Sequence, residues 1–385
     1  MISVFDPVEL TQALIRCPSV TPVEGGALDL LQARLEELGF TCHRMTFSEA
    51  GTADVENLYA RLGTAGPNLC YAGHTDVVPP GDPAAWRVDP FSGEVIDGEL
   101  FGRGAVDMKG AIAAFLAGLS SFLHERGRDG VPGSISLLIT GDEEAISING
   151  TRKVLRWLED RGERLDACVV GEPTSNARLG DMVKIGRRGS LNGNLKVLGT
   201  QGHTAYPQLA DNPLHHMVRM LAPLVSEALD DGSDHFPPSS LQITSIDVGN
   251  PATNVIPAVG RAAFNVRFND HFDSAGVQSW IRDRLDRQGQ AYELDIRVSG
   301  ESFLCPPGHL SELLSEAVDA VMGYRAELGT TGGTSDARFI KDYCPVAELG
   351  LLNATAHKVD ERVPLTHLTA LRDIYRRVLD GYFAE

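Results

Sequence analysis

The sequence predicts an α/β protein in which a second, ferredoxin-like α+β domain is inserted into the first domain. Helices alternate with apolar strands in the first and last parts of the chain, which is typical of α/β domains. The middle part instead has the order strand, helix, strand, strand, helix, strand. At 385 residues the chain also exceeds the roughly 100–200 residues of one ordinary domain. We therefore predict a first domain from 1–181 and 294–385, interrupted by an inserted domain at 182–293.

The opening elements follow ordinary start and stop signals. A helix begins after Asp6, whose side chain caps it, with Pro7 at the first helical position. A second helix is predicted over 27–38 from the spacing of its leucines. Two apolar strands, 57–62 and 68–72, are then joined by a Gly-Pro turn. A helix and a strand thus follow one another as in an α/β domain.

The inserted domain is recognised from a change of pattern. Residues 183–198 alternate between apolar and polar side chains like antiparallel strands. The elements that follow complete a ferredoxin-like order: a helix at 213–229, strands near 241–248 and 261–268, a helix at 274–287 and a strand at 292–298. The first domain resumes with elements near its end: a helix at 310–322, a strand at 346–352 and a helix from Leu368.

Composition and charge exclude several classes of partner. The chain is 43% hydrophobic and 22% charged, and it has no uninterrupted apolar run long enough to cross a bilayer. Its net charge of −18 argues against nucleic-acid or anionic-membrane partners, which are bound by clustered Lys and Arg. Met1–Pro7 has no basic segment followed by an apolar one, so we expect a cytoplasmic protein acting on a small molecule.

Cysteine usage points to the kind of metal ligand to look for. The six Cys are scattered without a CxxC pair, and two of them lie inside apolar, strand-like runs. We expect reduced thiols in the core, with no disulfide framework. Any metal is therefore expected to be held by His and carboxylate side chains.

Candidate ligands lie where strands end. His74 and Asp76 follow an apolar strand, and residues two apart on a strand face the same side. A His beside a carboxylate is typical of a metal site, although a buried His next to a turn Asp is the alternative. Glycines surround Asp107 at the entrance to a buried helix, where a simple N-cap is the alternative.

Three more candidates lie at comparable positions. The apolar strand 134–140 ends in three successive carboxylates, Asp142–Glu144, whose mutual repulsion a cation would remove. Glu172 follows the next strand, and His357 lies in a polar loop near the end of the chain. Parallel strands present their carboxyl ends at one edge of a sheet, so these side chains can converge.

Two His and three carboxylates exceed the needs of one tetrahedral Zn²⁺, and a shared carboxylate would hold two metals about 3.5–4 Å apart. Such a centre supports hydrolysis, for which a general base is also required. Of Glu143 and Glu144, one could be the base and the other a ligand; residue types alone do not decide between them.

Six ordered motifs resemble those of the M20 family of co-catalytic zinc amidohydrolases and peptidases. They are His74–Asp76, Gly102–Lys109, Asp142–Glu144, Gly171–Pro173, Gly332–Asp336 and His357. The likeness extends from the N-terminal helix to the C-terminal helix. It implies a mixed-sheet, zinc-peptidase-like catalytic domain with an inserted ferredoxin-like α+β dimerisation domain. It also implies two Zn²⁺ per subunit, for which Co²⁺ can substitute.

The resemblance assigns roles to the candidate residues. It implies that His74 and Glu172 are ligands of one zinc. Glu144 and His357 are then the ligands of the other zinc, and Asp107 bridges the two. Glu143 matches the catalytic base that takes a proton from the metal-bridging water and passes it to the leaving amine. Asp76 matches the carboxylate that supports His74.

Motifs on the substrate side are similar to those of M20 enzymes that hydrolyse N-succinyl-L,L-2,6-diaminopimelate to succinate and L,L-2,6-diaminopimelate. They lie at 186–190, 202–206, 254–257 and 353–361. The likeness implies a homodimer formed through the inserted domain, with His203 reaching the partner's site to stabilise the oxyanion. The implied substrate contacts are Arg187, Tyr206, Asn254, Arg267, Thr334 and Asn353. Arg suits carboxylate recognition, although a solvated or ion-paired Arg is the alternative.

Two kinds of rival function are weighed against this one. An acetylornithine deacetylase, or another M20 aminoacylase or dipeptidase, would share the metal ligands. The Arg187–Arg188 pair and Asn353 favour a dicarboxylic acyl group, because an acetyl group has no carboxylate to bind. A non-catalytic metal-dependent binding protein should have lost the base or a ligand, yet Glu143 and all five predicted ligands are present.

Overall fold

The computed structural model describes residues 2–384. Its helices are α1 (Pro7–Ile15), α2 (Ala27–Leu38), α3 (Lys109–Arg126), α4 (Thr151–Glu159), α5 (Pro213–Ser226), α6 (Ser274–Asp286), α7 (His309–Met322), α8 (Ala337–Ile340) and α9 (Leu365–Tyr382). Its strands are β1 (Thr41–Phe47), β2 (Val55–Leu62), β3 (Asn68–His74), β4 (Val95–Ile96), β5 (Glu99–Phe101), β6 (Ser134–Thr140), β7 (Ala167–Val170), β8 (Met182–Lys184), β9 (Gly186–Arg187), β10 (Gly189–Leu198), β11 (Gly202–His203), β12 (Ser240–Asp247), β13 (Val255–Ile256), β14 (Val259–Phe268), β15 (Tyr292–Gly300), β16 (Phe303–Leu304), β17 (Glu327–Gly329), β18 (Val346–Glu348) and β19 (Arg362–Pro364).

The chain divides into two compact units. The larger one contains the chain up to Ile185, the segment Cys305–Gly329 and the chain from Ser335 onwards. The smaller one contains Gly186–Leu304 and the short segment Thr330–Thr334. The smaller unit is therefore an insertion in the sequence of the larger one.

The larger unit is built on an eight-stranded mixed sheet with the order β1-β2-β6-β3-β7-β18-β8-β17. Strand β3 runs parallel to both β6 and β7, and β7 is parallel to β18, whereas β1, β2 and β6 pair antiparallel. Every residue of β3 and β6 is buried, as expected for interior strands covered on both faces. The parallel strands present their carboxyl ends at one edge of this sheet.

Helices α3 and α9 pack together in the core of this unit. Tyr71 of β3 stacks on Phe115 of α3 with the ring centroids 4.0 Å apart. Tyr375 of α9 meets the Tyr71 ring edge-on at 5.6 Å, so the helices and the central strand share one aromatic cluster. This packing fixes β3, which ends at His74, and α3, which begins two residues after Asp107.

The smaller unit has a four-stranded antiparallel sheet with the order β12-β14-β10-β15. Along the chain the order is β10, α5, β12, β14, α6, β15, which is the predicted ferredoxin-like arrangement. One core cluster joins the two helices to the sheet, with Leu195, Met220, Phe264 and Ile281 at its centre. The predicted fold class, a mixed-sheet α/β domain with an inserted α+β domain, is confirmed.

Boundaries differ from the prediction in several places. Strand β15 reaches Gly300 and pairs with β10 over its length, so the predicted boundary at 293 falls inside a strand of the smaller unit. The strand predicted at 346–352 ends at Glu348. Strand β1 was not predicted, because its sequence is largely polar and it lies half-exposed at the edge of the sheet. In the part of the chain that the structure describes, no helix has both the length and the apolar character needed to span a bilayer.

Candidate metal centre

Strand register places three of the predicted ligand segments side by side. His74 is the last residue of β3 and is paired with Thr140, the last residue of β6. Ala72 is paired with Val170 at the end of β7, so Glu172, two residues further on, follows that strand level with His74. The carboxylates after β6 and β7 thus flank His74 because the three strands are parallel and in register.

The first candidate ligand group contains His74, Asp107 and Glu172. The His74 Nε2 atom lies 3.2 Å from Asp107 Oδ1 and 3.7 Å from Glu172 Oε1. Its Nδ1 atom lies 2.8 Å from the backbone carbonyl oxygen of Asp76, which can only accept a hydrogen bond. When the ring is neutral, as a metal ligand must be, its proton is therefore on Nδ1 and its Nε2 lone pair is on the side of the two carboxylates. This is the arrangement that a metal ligand needs.

The second group contains Asp107, Glu144 and His357. The His357 Nε2 atom lies 2.8 Å from Glu144 Oε1 and 3.2 Å from Asp107 Oδ2. Asp107 thus presents one carboxylate oxygen to each histidine. Its alternative role as a helix cap is not seen, because the N-cap of α3 is Met108 and no side chain caps that end.

The electrostatics of the metal-free chain show that this cluster favours cations. Burial lowers the pKa of His74, but the hydrogen bond to Asp107 and the nearby carboxylates raise it well above its usual value. Hydrogen bonds to Asp107 and Glu144 raise the pKa of His357 to about 10. Burial raises the pKa of Asp107, but the two histidines bring it below its usual value. Without metal, protonated histidines supply the positive charge that the carboxylates require.

The residues present fit a pair of divalent cations. In each group the ligand atoms lie within 4.8 Å of one another. The donor set is imidazole nitrogen and carboxylate oxygen, which suits zinc and similar ions, and neither group includes a Cys. Three carboxylate ligands, Asp107, Glu144 and Glu172, converge here, with the carboxylates of Asp76 and Glu143 beside them. Two divalent cations would offset this negative charge.

Glu143 and Glu144 differ in their surroundings and therefore in the role each can have. Glu144 belongs to the second ligand group, whereas Glu143 belongs to neither. Burial and the charge of Glu172 raise the pKa of Glu143 well above its usual value. Within residues 2–384, no hydrogen bond to the Glu143 carboxylate is formed. That carboxyl group is therefore free to exchange a proton, as a general base must.

Asp76 supports the glutamate pair more directly than it supports His74. Its carboxylate accepts hydrogen bonds from the backbone N–H of Glu143 at 3.3 Å and of Glu144 at 3.0 Å. Its Oδ1 atom is 3.6 Å from His74 Nδ1, while its backbone carbonyl makes the shorter contact to that ring. Asp76 thus aligns the turn after β6 through its side chain and orients the imidazole through its main chain.

The predicted substrate contacts lie mainly in the smaller unit. Arg187 is buried, and its Nη1 atom donates to the carbonyl oxygen of Gly333 at 3.1 Å, one residue before the half-buried Thr334. Burial, together with the charge of Arg188, lowers the pKa of the half-buried Arg267. Two guanidinium groups close enough to perturb each other indicate a place where an anion is favoured.

Three further predicted residues are exposed together on the β11–β13 ribbon of the smaller unit. The rings of His203 and Tyr206 lie 5.7 Å apart, and the backbone carbonyl of Asn254 accepts from the N–H of Thr204. All three side chains are exposed, and Tyr206 is 56% exposed. Asn353 is also exposed but belongs to the larger unit, where its N–H donates to Ser175.

Sequence patterns did not single out Arg103 and Glu361, although both lie inside the quoted motifs. They form a buried ion pair with Arg103 Nη1 2.6 Å from Glu361 Oε2. For Arg103 a signal was present: it is a charged residue within a Gly-rich, largely apolar run, where burial without a partner would be costly. Glu361 lies in a polar stretch and has no such signal.

Comparisons with known proteins agree on the family. The family model described as peptidase family M20/M25/M40 matches residues 70–381. A succinyl-diaminopimelate desuccinylase of Rhodospirillum centenum is 61% identical over 380 residues, covering 98% of each chain. A protein of the same name from Parvibaculum lavamentivorans is 55% identical, covering 99% of this chain and 97% of its own.

Solved structures share the fold. An M20 family metallo-carboxypeptidase from Sulfolobus solfataricus matches with a TM-score of 0.79 at 16% identity, covering 98% of this chain and 99% of that one. A Bacillus subtilis protein described as a dinuclear metal-binding peptidase from the M20 family matches with a TM-score of 0.70 at 15% identity, covering 98% of this chain and 97% of that one. With a family model that matches most of its length and relatives more than half identical to it, this chain belongs to peptidase family M20/M25/M40.

Proposed function

We propose that this protein hydrolyses N-succinyl-L,L-2,6-diaminopimelate to succinate and L,L-2,6-diaminopimelate, using two Zn²⁺ ions per subunit. The observation that supports the reaction class is Asp107, which presents one oxygen to each of two histidines. The succinyl substrate follows from the relatives, which carry the name of that activity at 61% and 55% identity over nearly the whole chain. Co²⁺ is proposed to substitute for Zn²⁺, because both accept imidazole and carboxylate ligands.

The five ligand residues are proposed to divide between the ions as the geometry groups them. His74 and Glu172 would hold one ion, Glu144 and His357 would hold the other, and Asp107 would contribute to both. When bound, the ions polarise the amide carbonyl of the substrate and make water a better nucleophile at neutral pH.

Glu143 is proposed as the general base. Its carboxyl takes a proton from the attacking water and passes it to the nitrogen of the leaving amine, so that amide and water become carboxylate and amine. Burial and the charge of Glu172 raise the pKa of this carboxyl, which supports a role in holding a proton between the two steps. Asp76 keeps this carboxyl in place by binding the backbone N–H groups of Glu143 and Glu144.

Recognition of the substrate carboxylates is assigned to residues that offer cationic or polar groups. Arg187 and Arg267 are proposed to bind carboxylates, because a guanidinium can donate two parallel hydrogen bonds to one carboxylate. The half-buried Arg267 lies near a second guanidinium, so an anion would be favoured there. The remaining proposed contacts are Tyr206, Asn254, Thr334 and Asn353.

Homodimer formation through the smaller unit is also proposed. Strand β12 is an edge strand with four exposed residues at its end, where Ile246 is 60% exposed. Helix α5 exposes Val218 (69%) and Val225 (58%). An unpaired strand edge beside exposed apolar side chains suits a symmetric contact with a second copy. In such a dimer the exposed His203 would act in the partner's site and stabilise the oxyanion. A cytoplasmic location stays a prediction from the sequence.

The deciding experiment compares two substrates on one purified sample of the zinc-loaded protein. We expect kcat/KM for N-succinyl-L,L-2,6-diaminopimelate to exceed that for N-acetylornithine by a factor of at least about 100, because only the succinyl group carries a carboxylate for the arginines. Preference for the acetyl substrate would overturn the proposed substrate while leaving the reaction class intact. Cleavage of neither substrate by the zinc-loaded protein would overturn the proposed function.

A further inference from the structure

Glu361 is fully buried beside the metal centre but belongs to neither ligand group. Its Oε2 atom accepts from Arg103 Nη1 at 2.6 Å. Its Oε1 atom accepts from the backbone N–H of Val106 at 2.9 Å and of Asp107 at 3.1 Å. One carboxylate therefore holds the main chain of the residue that faces both histidines.

Arg103 extends this contact to a second ligand segment. Its side chain is 2% exposed, and its Nη2 atom lies 3.4 Å from the carbonyl oxygen of His357 and 3.5 Å from that of Pro79. The Trp86 ring covers the guanidinium, with its centroid 5.3 Å away. The Arg103–Glu361 pair thus connects the backbone of Asp107 with the backbone of His357.

The two ligand groups differ in how the rest of the fold supports them. His74 ends a fully buried strand, and Glu172 follows its neighbour in register. His357 lies in a loop, its side chain is 48% exposed, and its φ of 61° is one that side chains other than glycine seldom adopt. The position of His357 thus depends on contacts outside regular secondary structure, and the buried ion pair supplies one.

We propose that the Arg103–Glu361 pair positions Asp107 and His357 and thereby acts most strongly on the affinity of one ion, the one held by Asp107, Glu144 and His357. The inference rests on the proposed function only in taking those residues as metal ligands. Loss of groups that orient metal ligands commonly weakens metal binding about 10- to 100-fold. Breaking this pair should weaken the site that contains His357 by that factor. The site of His74 and Glu172 should weaken less, because Asp107 is the one ligand of that site that the pair supports.

If the Arg103–Glu361 pair only stabilised the fold, its loss would have a different effect. Removing one partner of a buried ion pair leaves an uncompensated charge and destabilises the whole unit, which would not distinguish between the two sites. Glu163 provides a matched control in the same unit. It accepts from the Tyr59 hydroxyl at 2.7 Å, pairs with Arg61, and belongs to neither ligand group.

The test titrates Zn²⁺ into the metal-free full-length parent, Glu361→Gln and Glu163→Gln, using calorimetry, with thermal unfolding of each protein measured alongside. The parent and Glu163→Gln should each show two sites of the same affinities. Glu361→Gln should show one site weakened about 10- to 100-fold and the other weakened clearly less. Unchanged affinities in Glu361→Gln, or equal weakening of both sites, would overturn the inference.

Arg103→Lys decides the matter if Glu361→Gln does not fold. The lysine keeps the positive charge but cannot reach both Glu361 and the His357 carbonyl, so it should again weaken the His357 site most. Parental affinities in Arg103→Lys would then overturn the inference. A parent that binds fewer than two ions would instead contradict the proposed metal centre itself, so the two failures are distinguishable.

Discussion

Replacing Glu143 with glutamine removes the proposed general base and leaves both ligand groups complete. Glu143 belongs to neither group, and the substitution keeps the size of the side chain. General acid–base catalysis commonly contributes about 10²- to 10⁴-fold, which corresponds to about 2.7–5.4 kcal/mol of activation free energy. We therefore expect kcat to fall by at least about 100-fold while the KM changes little.

The substitution should also affect the stability of the metal-free protein, and the sign follows from the pKa. The pKa of Glu143 is raised in the folded chain, so the folded state binds a proton more tightly than the unfolded state does. The stability of the metal-free protein is then lost as the pH rises above the usual range of a Glu carboxyl. Glutamine cannot ionise, so metal-free Glu143→Gln should melt at a higher temperature than the parent at pH 7.

The assay combines steady-state kinetics with metal analysis, and the neighbouring Glu144→Gln serves as the matched control. Glu143→Gln should retain two ions per chain, whereas Glu144→Gln should lose affinity for one because Glu144 Oε1 lies 2.8 Å from His357 Nε2. Parental turnover in Glu143→Gln would refute its role as the base. Loss of an ion in Glu143→Gln alone would refute the division of work between the two residues.

Other changes have equally definite outcomes. Asp76→Ala should lower kcat about 10-fold or more, because the Asp76 carboxylate holds the backbone N–H groups of Glu143 and Glu144. Zinc should still bind at saturation. An unchanged kcat would contradict this role of Asp76. The metal-free protein should melt at lower temperatures as the pH rises from about 6.5 to 9, because His357 keeps its proton in the folded state up to a pKa of about 10. Differential scanning calorimetry should show that the melting temperature of His357→Gln depends less on pH than that of the parent. Ile246→Lys should shift the mass measured by light scattering from dimer to monomer, because it replaces the exposed apolar side chain of this strand edge with a charged one. A parent that is already monomeric would refute the proposed interface.

Periodicity and strand ends were sufficient to predict the fold class and the segments that converge. The strand 134–140 was predicted from its uninterrupted apolar run, and the structure begins and ends it at the same residues. Strand β1 was missed because an edge strand of polar composition has no such pattern. The boundary at 293 cut through the strand predicted at 292–298, although the ferredoxin-like order assigns that strand to the inserted domain, and β15 pairs with β10 in the smaller sheet.

In the site, too, one part could be predicted from the sequence and another could not. That His74, Asp107, Glu144, Glu172 and His357 lie near one another could be predicted, since sequence motifs and parallel strands place them at one edge. The part that could not be predicted depends on hydrogen-bond geometry. Asp76 was expected to support the imidazole with its carboxylate, yet its carbonyl makes that contact and its carboxylate binds the next turn. Glu361 escaped notice because its partners lie more than 250 residues away in sequence.

The central claim is that Asp107 is shared between two metal ions. Anomalous diffraction from crystals of the zinc-loaded protein, recorded at the zinc absorption edge, tests it most directly. We expect two anomalous peaks, one among Asp107 Oδ1, His74 and Glu172 and the other among Asp107 Oδ2, Glu144 and His357. A single peak, or a second peak away from Asp107, would contradict the claim.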